Sequence, residues 1–283
     1  MKIEPEDSCI LLSEAIYNPD YNTNKLIEYM FEKFNFDKLY IALSPILTLF
    51  ADGKHDGFVI DIGEGITQMA PIIDAEFIPF KADRMDIGGS DATEYMKNLL
   101  HNSGIFFSTK VDKYVYKDIK EKSCFISLDF ENEKKSIESY IYELSDKTKV
   151  EIKSQRFECP EIFFKPNLIG KDEEQGIVKK SYDIIEKCNE HRCELYNNIV
   201  ISGCSTNFSN FTERFVKEIQ NIVSDEFKKD INTLNYNSSL RGEAVWIGGC
   251  VFASLSIFNS LAVSKSEYDE NGLNIVLRRF LRY

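Results

Sequence analysis

Apolar residues first recur at helical spacing where Leu26, Ile27, Met30, Phe31 and Phe34 follow the polar run Asn22-Thr23-Asn24. That spacing puts them on one stripe of a helix, which needs a core to lie on. The next run, KLYIAL from Lys38 to Leu43, is short and rich in β-formers and predicts a strand. Ser44-Pro45 then predicts a helix start, with Ser44 as N-cap, Pro45 at the first helical position and Gly53 as the stop. From Phe58 to Ile72, FVIDIGEGITQMAPI carries two apolar runs that meet at Asp-Ile-Gly-Glu-Gly, the pattern of a hairpin.

Further on, Asp91 precedes a helix marked by Tyr95, Leu99 and Leu100 and closed near Gly104. Residues 111–125 read as a charged helix and 138–152 as a polar hairpin around Ser145-Asp146. This middle part is the most polar and predicts a peripheral lobe. NNIVISGCSTNFSNFTERFVKEI gives a strand, a small-residue loop and a helix capped by Asn210 with Glu213 three residues on. VWIGGCVFASL puts two glycines inside an apolar helical run, Ser264 and Glu267 form a capping box, and Gly272 separates the last two helices. Strands alternating with helices predict an α/β protein with mixed sheets.

Composition narrows the function classes. The 283 residues are 43% hydrophobic and 28% charged, enough for two modest cores. With 46 acidic against 34 basic side chains, the formal net charge is −12, which repels nucleic acid and anionic membrane. Arg278, Arg279 and Arg282 form one small basic cluster, suited to a helix C-terminus. No leader or membrane-length apolar run stands out, so an intracellular protein is expected. Seven scattered cysteines fit reduced thiols. Cys188 and Cys193, with His191 between them, lack the second pair that a zinc site needs.

Two turns offer chemistry. In Asp61-Ile-Gly-Glu-Gly-Ile-Thr67 the glycines permit consecutive N–H groups to form an anion nest, and Asp61 is placed to hold a hydrated Mg2+. A plain hairpin turn explains the same residues. Gly203-Cys204-Ser205-Thr206, between a strand and a helix N-terminus, lets a ligand approach the backbone, though a small-residue loop is an equal account. Lys120 and Glu121 read as a solvated helix face. His55, His101 and His191 have no nucleophile elbow beside them, and neither a G-x-x-x-x-G-K-[ST] nor a G-x-G-x-x-G loop is present.

Taken in order, the segments LLSEAIYNPDYNTNKLIEYMFEKFNF, LTLFADGKHDGFVIDIGEGIT, DIKEKSCFISLDFE, RFECPEIFFKPNLIG, VISGCSTNF, VWIGGCVFASLSIF and SKSEYDENGLNIVLRRF resemble the actin and actin-related family over the whole chain. The resemblance implies an actin-like ATPase fold: two α/β domains with mixed five-stranded cores, and ATP or ADP with Mg2+ or Ca2+ in the cleft between them. It divides the chain into residues 1–51 with 244–283, an incomplete first domain, residues 52–88 with 172–243, the second, and a peripheral lobe at 89–171. It assigns Asp61, Gly63, Glu64 and Gly65 to a phosphate loop, with Asp61 reaching the metal through water. Lys120 and Glu121 fall against adenine and ribose, and Gly203, Cys204 and Ser205 in the adenosine loop. Phe50, Ala51, Val251, Phe252, Leu255 and Leu261 match the lining of the groove for partners and neighbouring subunits.

Departures from the family are as informative. Ser44 stands for the glutamine that orients the attacking water and Gln68 for the assisting histidine. Glu64 replaces an aspartate, Cys204 the second glycine of the adenosine loop, and Gly242 a lysine that packs on adenine. The first phosphate loop and a small outer subdomain are expected upstream of Met1. The implied function is binding and assembly with actin-like subunits or actin-binding proteins, without membrane or nucleic acid, with weak or absent nucleotide and little ATPase activity. The cytoplasm is the expected location, with the nucleus as a second site. The same resemblance allows a scaffold subunit of a chromatin-modifying, nucleation or motor complex, or an active ATPase whose front is missing from the gene model.

Overall fold

A computed structural model describes residues 4–107, 112–135, 138–234 and 238–280. Val111 and Arg282 lie outside the described residues. β1 (Cys9–Glu14) runs parallel to β2 (Lys38–Leu43), and between them α1 (Asp20–Glu28) continues into a π-helical turn, Tyr29–Lys33. The helix begins before Asn22-Thr23-Asn24, because Thr23 is buried within it and bonded to the Glu14 carboxylate. α2 (Ser44–Ala51) follows β2 directly. Its N-cap is Leu43 rather than Ser44, whose Oγ donates instead to the Glu14 carbonyl at 3.0 Å.

β3 (Gly57–Ile62) and β4 (Thr67–Ile73) form the expected antiparallel hairpin, with Asp61 opposite Gln68. β5 (Glu76–Phe77) and β6 (Asp83–Met85) pair with opposite ends of β4. α3 (Gly89–Asn102) starts earlier than Asp91, which sits inside its first turn and accepts the Gly88 amide at 2.8 Å. The middle part holds α4 (Asp112–Ser123), α5 (Phe130–Lys135), the hairpin of β7 (Tyr140–Glu143) and β8 (Lys149–Ile152), and α6 (Gln155–Glu158). α7 (Ile177–Glu186) and α8 (Arg192–Asn197) lead into β9 (Ile199–Ser202) and α9 (Phe211–Ile222). The side-chain cap expected at Asn210 is not made: its backbone is left-handed, with φ +66°, and its Nδ2 donates across to the Ile126 carbonyl at 3.2 Å.

The chain ends with β10 (Thr233–Leu234), α10 (Ala244–Ala253), α11 (Phe258–Leu261), β11 (Val263–Ser264), α12 (Lys265–Asn271) and α13 (Leu273–Phe280). Ser264 and Glu267 make the predicted capping box. Among the described residues the first sheet has three strands, ordered β1-β2-β11, while the second runs β10-β9-β3-β4-β5 with β6 also on β4. The second is thus five positions wide, its far edge shared by β5 and β6.

The second sheet carries the larger core. Phe58, Ile60, Ile62 and Met69 join Met96 and Leu100 of α3, Tyr116 and Ile119 of α4, and Phe163 in one cluster, so the polar middle segment shares its core with this sheet. α2 links the two lobes. Its Leu49 packs with Val59, Ala70, Ile72 and Val200, whereas Leu47 packs with Ala42, Phe252 and Phe258. The first of the two glycines in the apolar run of α10 permits this junction, since a Cβ on Gly248 would lie 1.7 Å from the Leu47 carbonyl oxygen.

Candidate functional site

The ends of β3 and β9, one face of α4 and the start of α10 enclose a cleft of about 840 Å³. Asp61, Gly63 and Glu64 line it from the first loop, Gly203, Cys204 and Ser205 from the second, and Lys120 and Glu121 from α4. Of the residues assigned to the two loops, together with Lys120 and Glu121, Gly65 alone stands off the lining, and beyond that set Gln68 and Ser44 also lie outside it. Gly242, Val245 and Phe208 are also in the lining.

The floor is a chain of hydrogen bonds. Asp61 is buried, accepting Ser202 Oγ–H at 3.1 Å and Gln68 Nε2–H at 3.2 Å. The other end of the Gln68 amide accepts the buried Ile16 amide at 2.8 Å. Gln68 thereby ties the second sheet to the segment after β1. Burial holds the Asp61 carboxyl above its ordinary range, with the two hydrogen bonds opposing.

The two loops use glycine differently. Neither Gly63 nor Gly65 has a left-handed backbone. A Cβ on Gly63 would meet only the Ile66 oxygen at 3.6 Å, and one on Gly65 nothing within 4 Å. The expected nest of consecutive N–H groups is therefore not built on glycine geometry, and the Gly63 amide closes the turn on the Ile66 carbonyl at 2.9 Å. Gly203 does require glycine, since φ is +88° and a Cβ would lie 2.2 Å from the Ile62 oxygen. Ser205 Oγ donates to the Gly63 carbonyl at 2.9 Å and fastens the loops together.

Gly88 and Gly89, which sequence reasoning passed over, are needed here. A Cβ on Gly88 would lie 2.5 Å from the Glu64 carbonyl oxygen, and one on Gly89 2.7 Å from Ser205 Oγ and 2.8 Å from Glu64 Oε2. Their signal was the glycine pair ahead of a capped helix. Lys120 is buried and donates to the Gly89 carbonyl at 2.7 Å, which removes it from the solvated face that spacing suggested. Glu121 remains exposed on the rim, 3.9 Å from Lys117 Nζ, which also lies 3.8 Å from Glu64.

A second cavity of about 540 Å³ opens between β2, α2 and α13. Of the six groove candidates, Phe50, Phe252 and Leu261 line it, whereas Ala51, Val251 and Leu255 do not. Phe252 belongs largely to the core, its ring 4.9 Å from Tyr40, 5.3 Å from Phe50 and 5.5 Å from Phe258. Val251 and Leu255 lie exposed beyond it.

The donor set does not fit a directly ligated divalent cation. Asp61 already receives a hydrogen bond on each oxygen, and among the described residues no three His, Cys, Asp or Glu side chains converge. The lining mixes the carboxylates of Asp61, Glu64 and Glu121 with Lys117, Lys120 and Lys122. Two α/β lobes joined through α2, with such a cleft at the ends of β3 and β9, define an actin-like ATPase fold. The family model described as Actin matches residues 1–281, and the chain belongs to the actin family.

Proposed function

We propose that this chain is an actin-like cytoskeletal protein that works by binding and assembly, with a weakened nucleotide site and little or no ATP hydrolysis. One observation carries this reading: Gln68, at the position of the family's water-assisting histidine, has both ends of its amide committed, to Asp61 and to the Ile16 amide. Ser44, at the water-orienting position, is likewise spent on the Glu14 carbonyl. Phosphoryl transfer to water rests on positioning and charge stabilisation, so neither residue is placed to orient a nucleophile. When bound, ATP would supply only its phosphates and base as ligand groups, and Lys117 and Lys120 are among the residues lining the cleft that would receive it. The apolar cavity bordered by Phe50 and Leu261 suits an actin-like subunit or an actin-binding protein.

The test is phosphate release from the full chain under Mg-ATP, run beside thermal melting with and without nucleotide. No release above background and a shift of at most a few degrees are expected, because a ligand stabilises only in proportion to its saturation of the folded state. Sustained turnover that Gln68→Ala abolishes would sink the proposal. Co-sedimentation with actin-family filaments tests the assembly role, and absence from the pellet at every subunit concentration counts against it.

A further inference from the structure

Cys204 and Gly242 stand apart in the sequence as two departures from the family pattern, yet in the structure they meet. A Cβ on Gly242 would lie 2.3 Å from Cys204 Sγ, but 3.7 Å from its Cβ and 3.9 Å from its Cα. The sulfur alone fills the space that a side chain at position 242 needs. Neither backbone is free to withdraw. The Gly203 amide donates to the Arg241 carbonyl at 3.0 Å, and the Arg241 guanidinium donates to the Thr206 carbonyl and to Thr212 Oγ1, each at 2.8 Å. On its other side Gly203 is pressed against Ile62. Cys204 and Gly242 line the cleft together with Val245 and Phe208, and Lys117 and Lys120 line it from α4.

We propose that Cys204 and Gly242 form one steric unit that sets how deeply the planar, apolar end of an adenine nucleotide enters the cleft, a role that rests on the cleft being a weakened nucleotide site. The thiol takes the place of a side chain from position 242. Both residues are exposed at the cleft, so the sulfur meets position 242 at the lining, where a ligand also reaches. Removing Sγ while keeping Cβ therefore opens the space without altering the backbone.

The test is a double-mutant cycle in the full chain with Cys204→Ala, Gly242→Ala and the double variant, read by melting without ligand and by calorimetric ATP titration. Gly242→Ala alone is expected to lower the melting midpoint, and the double variant to recover most of that loss. Cys204→Ala is expected to bind ATP about tenfold more tightly than the unaltered chain. An equal cost of Gly242→Ala in both backgrounds overturns the steric unit, as does an unchanged ATP affinity in Cys204→Ala. If the stability coupling appears but no protein of the set binds ATP at millimolar concentration, the nucleotide reading falls and takes the depth-setting role with it.

Discussion

The two loops that clamp the cleft look alike in sequence, each a glycine-bearing turn at the end of a buried strand, but they are held by different physics. At Gly203 the backbone is left-handed and packed on Ile62, so the fold itself demands glycine. At Gly63 and Gly65 the backbone is ordinary and the space around the missing side chains is open. A glycine in a candidate site is thus evidence for a ligand only where the fold has no use of its own for it. Gly63, which lines the cleft, meets that condition, as does Gly65 beside it, and Gly203 does not.

The largest expected effect comes from breaking the demanding loop. Gly203→Ala adds a clash to a strained dihedral and should cost on the order of 3 kcal/mol. Urea unfolding checks it: the midpoint should fall with an unchanged slope, whereas an unaffected midpoint would mean that the loop is far softer than its geometry implies.

Next comes the bridge between the loops, for Asp61 receives Ser202 from the strand that precedes Gly203 and Gln68 from the strand that follows Gly65. Gln68→Ala strands the buried Ile16 amide and one Asp61 oxygen without partners, and an orphaned buried group costs about 1–3 kcal/mol. Faster hydrogen exchange at Ile16 would locate the loss. Protection equal to that of the unaltered chain would show that another group, or water, satisfies this amide.

Asp61→Asn should act in the opposite direction. Burial raises the Asp61 pKa in the folded state above the ordinary value of 3.8, so the folded protein favours the protonated form. Its contribution to stability is then fully present below pH 3.8 and is lost as pH rises through the raised folded value. At pH 7 the unfolded chain carries this carboxyl ionised, and burying it costs free energy. The Asp61→Asn variant, whose uncharged amide can still bond Ser202 and Gln68, should therefore melt at a higher temperature than the unaltered chain. The gap should close as pH falls below the unfolded carboxyl's range. A gap independent of pH would detach the gain from the charge.

Much of this was legible in the sequence because it depended on local pattern. The β3–β4 hairpin, the strand of Lys38–Leu43, the charged α4 and the capping box at Ser264 follow from periodicity and neighbouring residues. What escaped depended on distant partners. Ser44 and Asn210 have the chemistry of N-caps, but each side chain is drawn off by a remote carbonyl, of Glu14 and of Ile126. Lys120 reads as surface charge until α4 is packed against the glycine pair at 88–89. The contact of Cys204 with Gly242 spans residues whose relation no local window contains.

The smallest expected effect decides most about the cleft. Gly65→Ala meets no atom within 4 Å and leaves the left-handed region unused, so the folded state should accept it without strain. The unfolded chain loses freedom, which favours folding by about 0.4–1 kcal/mol at compatible sites. Stability should therefore hold steady or rise slightly, in contrast to Gly203→Ala. Any change in ATP titration must then come from the ligand rather than the fold, because nothing in the protein occupies the space that the new methyl enters. If the unaltered chain binds ATP and Gly65→Ala does not, the open side of the turn is where the phosphates lie. If both bind equally, the turn serves only to carry Asp61 and Gln68 to the floor, and the anionic end of the ligand is held elsewhere in the cleft.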